Sequence, residues 1–233
     1  MPAVTAMDGC LGLSLLANRE TGRCIATTSW MSEEAMQATD GTVSPLREHA
    51  TELMAGEATV DEWEIAVMHR EHAAREGSWC RVTRLRCEPS EMESTIDFFR
   101  DSVMVRMEGS DGFCSASFMV NRMTGECCGT IRFDTRADPE ATREMAGELR
   151  DERSRRGGVQ FIDIDECELA IAHLQGARAG LKGADECRRS GIDPTGGSAG
   201  ALGHEVWVHL GAPPGTTGWP GSGSGRPGSL WPG

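Results

Sequence analysis

Residues 8–22 read DGCLGLSLLANRETG, and residues 111–125 read DGFCSASFMVNRMTG. Over the 25 positions from 8 to 32, nine recur at a constant offset of 103. Compositional bias does not hold one register over such a length, so the chain carries an internal repeat with the period of a small single domain. Whatever unit one copy encodes, the other encodes as well.

The second copy is the easier to parse. WCRVTRLRC (79–87) alternates and is β-rich. In the stretch that follows, Met92, Ile96, Phe99, Val103 and Met107 fall on one helical stripe, with Ser90 and Glu93 spaced as a capping box. FCSASFMVN and ECCGTIRFD are alternating segments joined by NRMTG, whose Gly125 suits the left-handed turn of a hairpin. Asp138 before Pro139 predicts a helix start, and the charged helix that follows runs until Gly157 and Gly158 stop it. VQFIDIDECELAIAHL supplies a last strand. The order β-α-β-β-α-β is the ferredoxin-like arrangement of a four-stranded antiparallel sheet with two helices on one face.

The first copy shows only the later part of this order. Residues 10–18 and 23–30 match the hairpin, Ser32 caps a helix carrying Glu33 and Glu34 in its first turn, and EWEIAVMH (62–69) matches ECELAIAH (166–173). Met1 aligns with Met104, so the first strand and most of the first helix of this copy have no counterpart ahead of the hairpin. The predicted fold class is α+β: two ferredoxin-like repeats forming an α+β barrel pseudo-dimer, with the first repeat at 1–75, the second at 76–175 and a tail at 176–233. That tail holds sixteen of the 29 glycines and six of the 10 prolines, a composition that predicts disorder.

The formal charge of −13 argues against nucleic acid or an anionic membrane as partner, since both select basic faces. The nine cysteines, most of them on apolar strands, lack the spacing of a disulfide scaffold, and CLGLSLL is too short to span a membrane. A cytoplasmic protein with reduced thiols is expected. No paired-histidine motif, Cys-x-x-Cys, phosphate loop or dinucleotide glycine fingerprint is present, so neither a metal nor a cofactor is expected from motifs. Adjacent Cys127 and Cys128 alternate faces in a strand, a poor geometry for one shared ion.

SWMSEEAMQAT (29–39), a strand ending in tryptophan followed by Ser-x-Glu-Ala at a helix start, resembles the antibiotic biosynthesis monooxygenase domain. The doubled Asp-Gly and Asn-Arg-x-Thr-Gly pattern looks like a tandem version of it over about residues 1–174. The second copy departs from the motif, with Phe133 in place of Trp30 and DTRADPEAT in place of MSEEAMQAT. The resemblance implies an α+β barrel in which small ligands sit between each sheet and its helices. It also implies either cofactor-independent oxidation of a small apolar or aromatic molecule or, as the alternative, a non-catalytic ligand-binding or assembly protein. Self-association of such barrels is a further expectation. Haem is disfavoured, because the first strand WCRVTRLRC has no asparagine to offer.

Strand alternation sets Ser14 and Ser117 on one small polar face of the two hairpins. Trp30, its counterpart Phe133, and Trp63 are the large rings on or beside strands that suit the wall of an aromatic pocket. His69 and His173 end matching strands, where an imidazole serves either as a base or as a strand-end hydrogen-bonding group. These seven residues are the pocket candidates; no catalytic residue is assigned. The absence of tyrosine removes one common phenolic acid or base.

Overall fold

In the computed structural model, which describes residues 2–54, 57–174 and 203–211, eight antiparallel strands close into one barrel. The first repeat contributes the short α1 (Pro2–Thr5), β1 (Cys10–Asn18), β2 (Arg23–Trp30), α2 (Glu33–Met54) and β3 (Glu57–Arg70). The second contributes β4 (Trp79–Cys87), α3 (Met92–Phe98), α4 (Val105–Glu108), β5 (Phe113–Asn121), β6 (Glu126–Phe133), α5 (Ala137–Ala141), α6 (Arg143–Arg155) and β7 (Val159–Leu174). A last strand, β8 (His204–Gly211), comes from the glycine-rich segment. No helix among the described residues is long and apolar enough to cross a membrane.

The second repeat has the ferredoxin-like strand order, with β4 in the middle between β7 and β6 and β5 beyond β6. The first repeat has the same order, but its middle strand is β8, lying between β3 and β2. The registers agree on both sides. His204 pairs with Trp30 and Glu64, as Trp79 pairs with Phe133 and Glu168. Leu210 pairs with Cys24, as Leu85 pairs with Cys127. The strand that the hairpin alignment leaves without an N-terminal counterpart is therefore supplied from the other end of the chain. Of the predicted tail, residues 204–211 form a barrel strand; the remainder, apart from Gly203, lies outside the described residues.

Alternation along the strands sorts the core into an inner layer and two outer ones. Inside the barrel, Leu16, Ile25, Trp63, Cys80, Val82, Met119, Cys128 and Trp207 pack together. Outside the second repeat's sheet, Cys127, Phe118, Ile131 and Phe133 pack against the helical stripe, of which Met92, Ile96, Phe99 and Met107 are buried and Val103 partly so. Outside the first repeat's sheet, Trp30, Leu13 and Val206 pack against Met36 and Val43 of α2. Cys127 and Cys128 thus face opposite layers, as their adjacency requires. The eight cysteines among the described residues are all free thiols.

Two helix starts differ from expectation. Ser90 lies within a 3₁₀ turn (Pro89–Glu91) and makes no capping bond; instead Thr95 Oγ1 donates to the Glu91 carbonyl at 2.7 Å. Asp138 is inside α5, where its carboxylate accepts from the Thr135 amide and hydroxyl, both at 2.8 Å. The Ser32 cap is present, its hydroxyl accepting from the Ala35 amide at 3.2 Å. Gly22, Gly125, Gly157 and Gly158 all adopt the positive φ that their turns require.

Candidate functional site

A cavity of about 70 Å³ lies between the second repeat's sheet and its helices. Its floor is Phe118, Ile131 and Phe161; its roof is Phe98, Phe99, Val103 and Met107, with Leu149 of α6 closing one side. Two local features make the space. Residues Phe99–Met104 are wound as a π-helix between α3 and α4, a widened turn found disproportionately at functional sites. Beneath it, Gly129 leaves room on the sheet: a Cβ there would come within 3.1 Å of Phe99 Cε2. The Phe99 ring consequently lies down on the strand and stacks on Phe118, centroids 4.8 Å apart at 26°. The equivalent position in the first repeat is Ala26.

Three arginines and two threonines line this largely apolar space. Arg81 is buried and satisfied, by Glu166 Oε1 at 3.0 Å, Thr142 Oγ1 at 3.1 Å and the Pro139 carbonyl. Arg153 is also buried, and donates to Thr95 Oγ1 at 2.7 Å, the Gly157 carbonyl at 2.9 Å and Glu91 Oε2 at 3.2 Å. Arg150 differs from both. Half-buried on α6, its guanidinium makes no hydrogen bond or ion pair among the described residues. Burial, and then the neighbouring Arg81, lower its pKa from the ordinary guanidinium value; Asp151 opposes them from a distance. Arg150 is the cavity's uncompensated cation. Among the described residues, no His, Asp, Glu, Cys or Lys lines the space.

None of the seven residues singled out in the sequence lines this cavity. Ser14 and Ser117 point into the barrel, both buried, and the Ser117 hydroxyl is 2.5 Å from that of Thr130. Trp63 is also inside the barrel. Trp30 is buried under α2, its Nε1 donating to Thr28 Oγ1 at 3.1 Å, and Phe133 occupies the matching place under the second repeat's helices. His69 stacks on Phe113 and faces Glu108 at 3.2 Å, while His173 is exposed at the end of β7. The matched histidines therefore sit in different surroundings, and the seven residues do not converge. Phe118 and Ile131, neighbours of Ser117 and Phe133 on the same strands, are the hairpin residues that face the cavity.

Elsewhere, where the connection after β3 meets the second repeat's hairpin, three metal-ligating types that are far apart in sequence come together: His72, Cys114 and Asp134, with donor atoms within 4.8 Å of one another.

No family model matches the chain. It is similar to the uncharacterized proteins Rv2557 and Rv2558 of Mycobacterium tuberculosis (strain ATCC 25618 / H37Rv). The first is 41% identical over 175 residues, covering 75% of this chain and 78% of the relative. The second is 44% identical over 178 residues, covering 75% of each. Among solved structures, an anthrone oxidase-like protein superimposes with a TM-score of 0.56 at 12% identity, over 75% of this chain and 84% of that one. At that identity the likeness is one of fold. This chain therefore belongs to the family of Rv2557 and Rv2558, and it shares its α+β barrel fold with the anthrone oxidase-like protein.

Proposed function

We propose that the second repeat binds a small, flat aromatic molecule carrying an acidic oxygen, held as its anion against Arg150. The observation that carries this reading is an uncompensated, half-buried guanidinium on the wall of a phenylalanine-rich cavity. Stacked rings accept a planar apolar body, and an ionised phenol or enol gives Arg150 a charge partner in place of the solvation that burial removes. A monocyclic phenol or quinol has this chemistry. The eight free thiols suit a reducing compartment such as the cytoplasm.

Cofactor-independent oxidation is a second reading of the same cavity, favoured by the same residue. A guanidinium in a water-poor space stabilises an enolate oxygen, and an enolate is the electron-rich form that reacts with dioxygen. Since no lining residue among the described residues is a general base, the ligand itself must be acidic enough to ionise as Arg150 lowers its pKa. The test is titration of the full chain with hydroquinone, a monocyclic quinol, followed by fluorescence, together with oxygen-electrode measurements. Binding that weakens about tenfold in Arg150→Gln supports the ligand assignment; each tenfold step corresponds to about 1.4 kcal/mol. Oxygen uptake lost in the same variant supports oxidation, whereas binding without uptake leaves a ligand-binding protein. Equal binding by wild type and variant overturns both.

A further inference from the structure

We infer that His72, Cys114 and Asp134 form a three-ligand site for a divalent transition-metal ion of the zinc class, with the remaining coordination position open to the adjoining cleft. His72 lies in the connection between β3 and β4, Cys114 is the second residue of β5, and Asp134 follows β6 directly. Main-chain bonds fix all three. The amides of Glu71 and His72 donate to the Cys114 carbonyl at 2.9 and 3.2 Å, and the Asp134 amide donates to the Gly112 carbonyl at 2.8 Å.

The side chains then converge. His72 Nε2 is 3.0 Å and Cys114 Sγ 3.3 Å from Asp134 Oδ1. Zinc holds imidazole nitrogen and carboxylate oxygen at about 2.0–2.2 Å and thiolate sulfur at about 2.3 Å, so two donors of a tetrahedral site lie roughly 3.3–3.6 Å apart. The two spacings to Asp134 are within a few tenths of an ångström of that, and His72 and Cys114 bring their donor atoms within 4.8 Å of each other. Nitrogen, thiolate and carboxylate together are a zinc-type donor set, and the two anionic ligands neutralise a divalent ion.

Two further observations separate this triad from ordinary strand-end packing. The first repeat has the same hairpin, yet Leu11 and Met31 stand where the second has Cys114 and Asp134, so the scaffold itself does not call for these groups. The triad also opens on a cleft of about 480 Å³, lined by His72, Asp134, Arg75, Glu76, Gly77 and Ser78. Cys114 is fully buried while His72 and Asp134 are exposed, which leaves the site closed on the protein side and open on the other. Three protein ligands with an open fourth position is the form of a zinc site that takes water or an anion, and Arg75 in the cleft wall suits an anion there.

The experiment is cobalt titration of the chelator-treated full chain under a non-thiol reductant. One equivalent of Co²⁺ is expected to bind, with a near-ultraviolet thiolate-to-metal charge-transfer band that Zn²⁺ abolishes by displacement. Cys114→Ser removes the band. Replacing His72 by Ala weakens binding at least tenfold; because that side chain is on the surface, this variant stays folded even where Cys114→Ser does not. Cys24→Ser, in a partly exposed thiol outside the triad, leaves both readouts unchanged. Absence of a band in the wild type, or a band and affinity that survive His72→Ala, overturns the assignment.

Discussion

Trp207 of β8 meets Trp63 of β3 edge to face inside the barrel, ring centroids 5.9 Å apart and planes at 60°. At the equivalent strand positions of the second repeat stand Val82 and Cys167, so the first repeat fills the middle of the barrel with two indoles and the second makes room for them. The Trp207 Nε1 is satisfied by Glu205 Oε2 at 2.8 Å, and the Glu205 carboxylate also accepts from Ser29 Oγ at 2.9 Å. A segment held by two full ladders and a buried indole is a structural strand. Trp207→Ala is expected to cost about 3–5 kcal/mol, the range for emptying a large core aromatic, read as a lowered midpoint in urea. A variant as stable as wild type would mean that β8 does not occupy this slot in solution.

Removing β8 altogether has a different expected outcome. A chain ending at residue 203 leaves β2 and β3 as open edges that face each other across a gap one strand wide. Edges of that kind recruit a strand from another molecule. Size-exclusion chromatography is expected to show dimers or larger species for the shortened chain. A monodisperse monomer with native circular dichroism would show that the barrel closes without β8.

These two predictions rest on the element that was hardest to read. The hairpins and the Met92–Met107 stripe were legible because their signals are local: period two, a turn glycine, period 3.6. HEVWVHLG alternates as cleanly, with Val206, Val208 and Leu210 on one side and Glu205, Trp207 and His209 on the other, but it is eight residues in a segment dominated by glycine and proline. The inner polar face of Ser14 and Ser117 was visible from alternation; its location inside the barrel depends on closure, which is long-range. The residues that form the cavity were illegible for a related reason. It depends on a π-turn within a regular stripe and on the absence of a Cβ at Gly129, and its charge on which of three arginines finds a carboxylate. The metal triad joins residues 42 and 20 positions apart, outside any motif spacing.

Gly129→Ala tests the geometry of the cavity. Its new methyl would sit 3.1 Å from Phe99 Cε2 and 3.6 Å from Phe118 Cδ2, so the Phe99 ring must lift by a few tenths of an ångström into the space below α6. Modest overpacking of this kind costs about 1–3 kcal/mol. Ligand affinity is expected to fall more than fivefold while circular dichroism is unchanged. Unaltered affinity would place the ligand elsewhere.

Arg153→Met separates scaffold from site. The substitution keeps much of the side chain's bulk but leaves Thr95 Oγ1 and the Gly157 carbonyl without their donor and Glu91 without its cationic partner, with only the Ser94 hydroxyl still donating to its carboxylate at 2.8 Å. Glu91 is one-third exposed and regains water, so the loss is expected at about 2–3 kcal/mol, below that of a fully buried pair. Urea denaturation reads it directly. A loss under 0.5 kcal/mol, on the scale of an exposed pair, would show that these bonds contribute no more than a surface contact.

The other end of the barrel interior gives a pH signature. Asp163 lies beside Arg23 at 3.5 Å, yet neither of its carboxylate oxygens accepts a hydrogen bond among the described residues. Burial raises its pKa above the ordinary aspartate value of 3.8, outweighing the attraction of Arg84 and Arg23. A carboxyl whose folded pKa exceeds its unfolded one binds its proton more tightly in the native state, so its contribution to stability is fully present below the unfolded pKa and is lost as pH rises through the folded value. At neutral pH the charged group is a net cost. Asp163→Asn keeps the shape and removes the charge, and Asp165 remains to pair with Arg23 at 3.5 Å. The variant is expected to be more stable than wild type at pH 7, with the difference vanishing as pH falls below about 4, where aspartate is protonated in both states. Thermal melts at five or six pH values between 3 and 8 measure both limbs. A variant less stable than wild type at pH 7 would mean that the Arg23 pairing outweighs the burial of the charge.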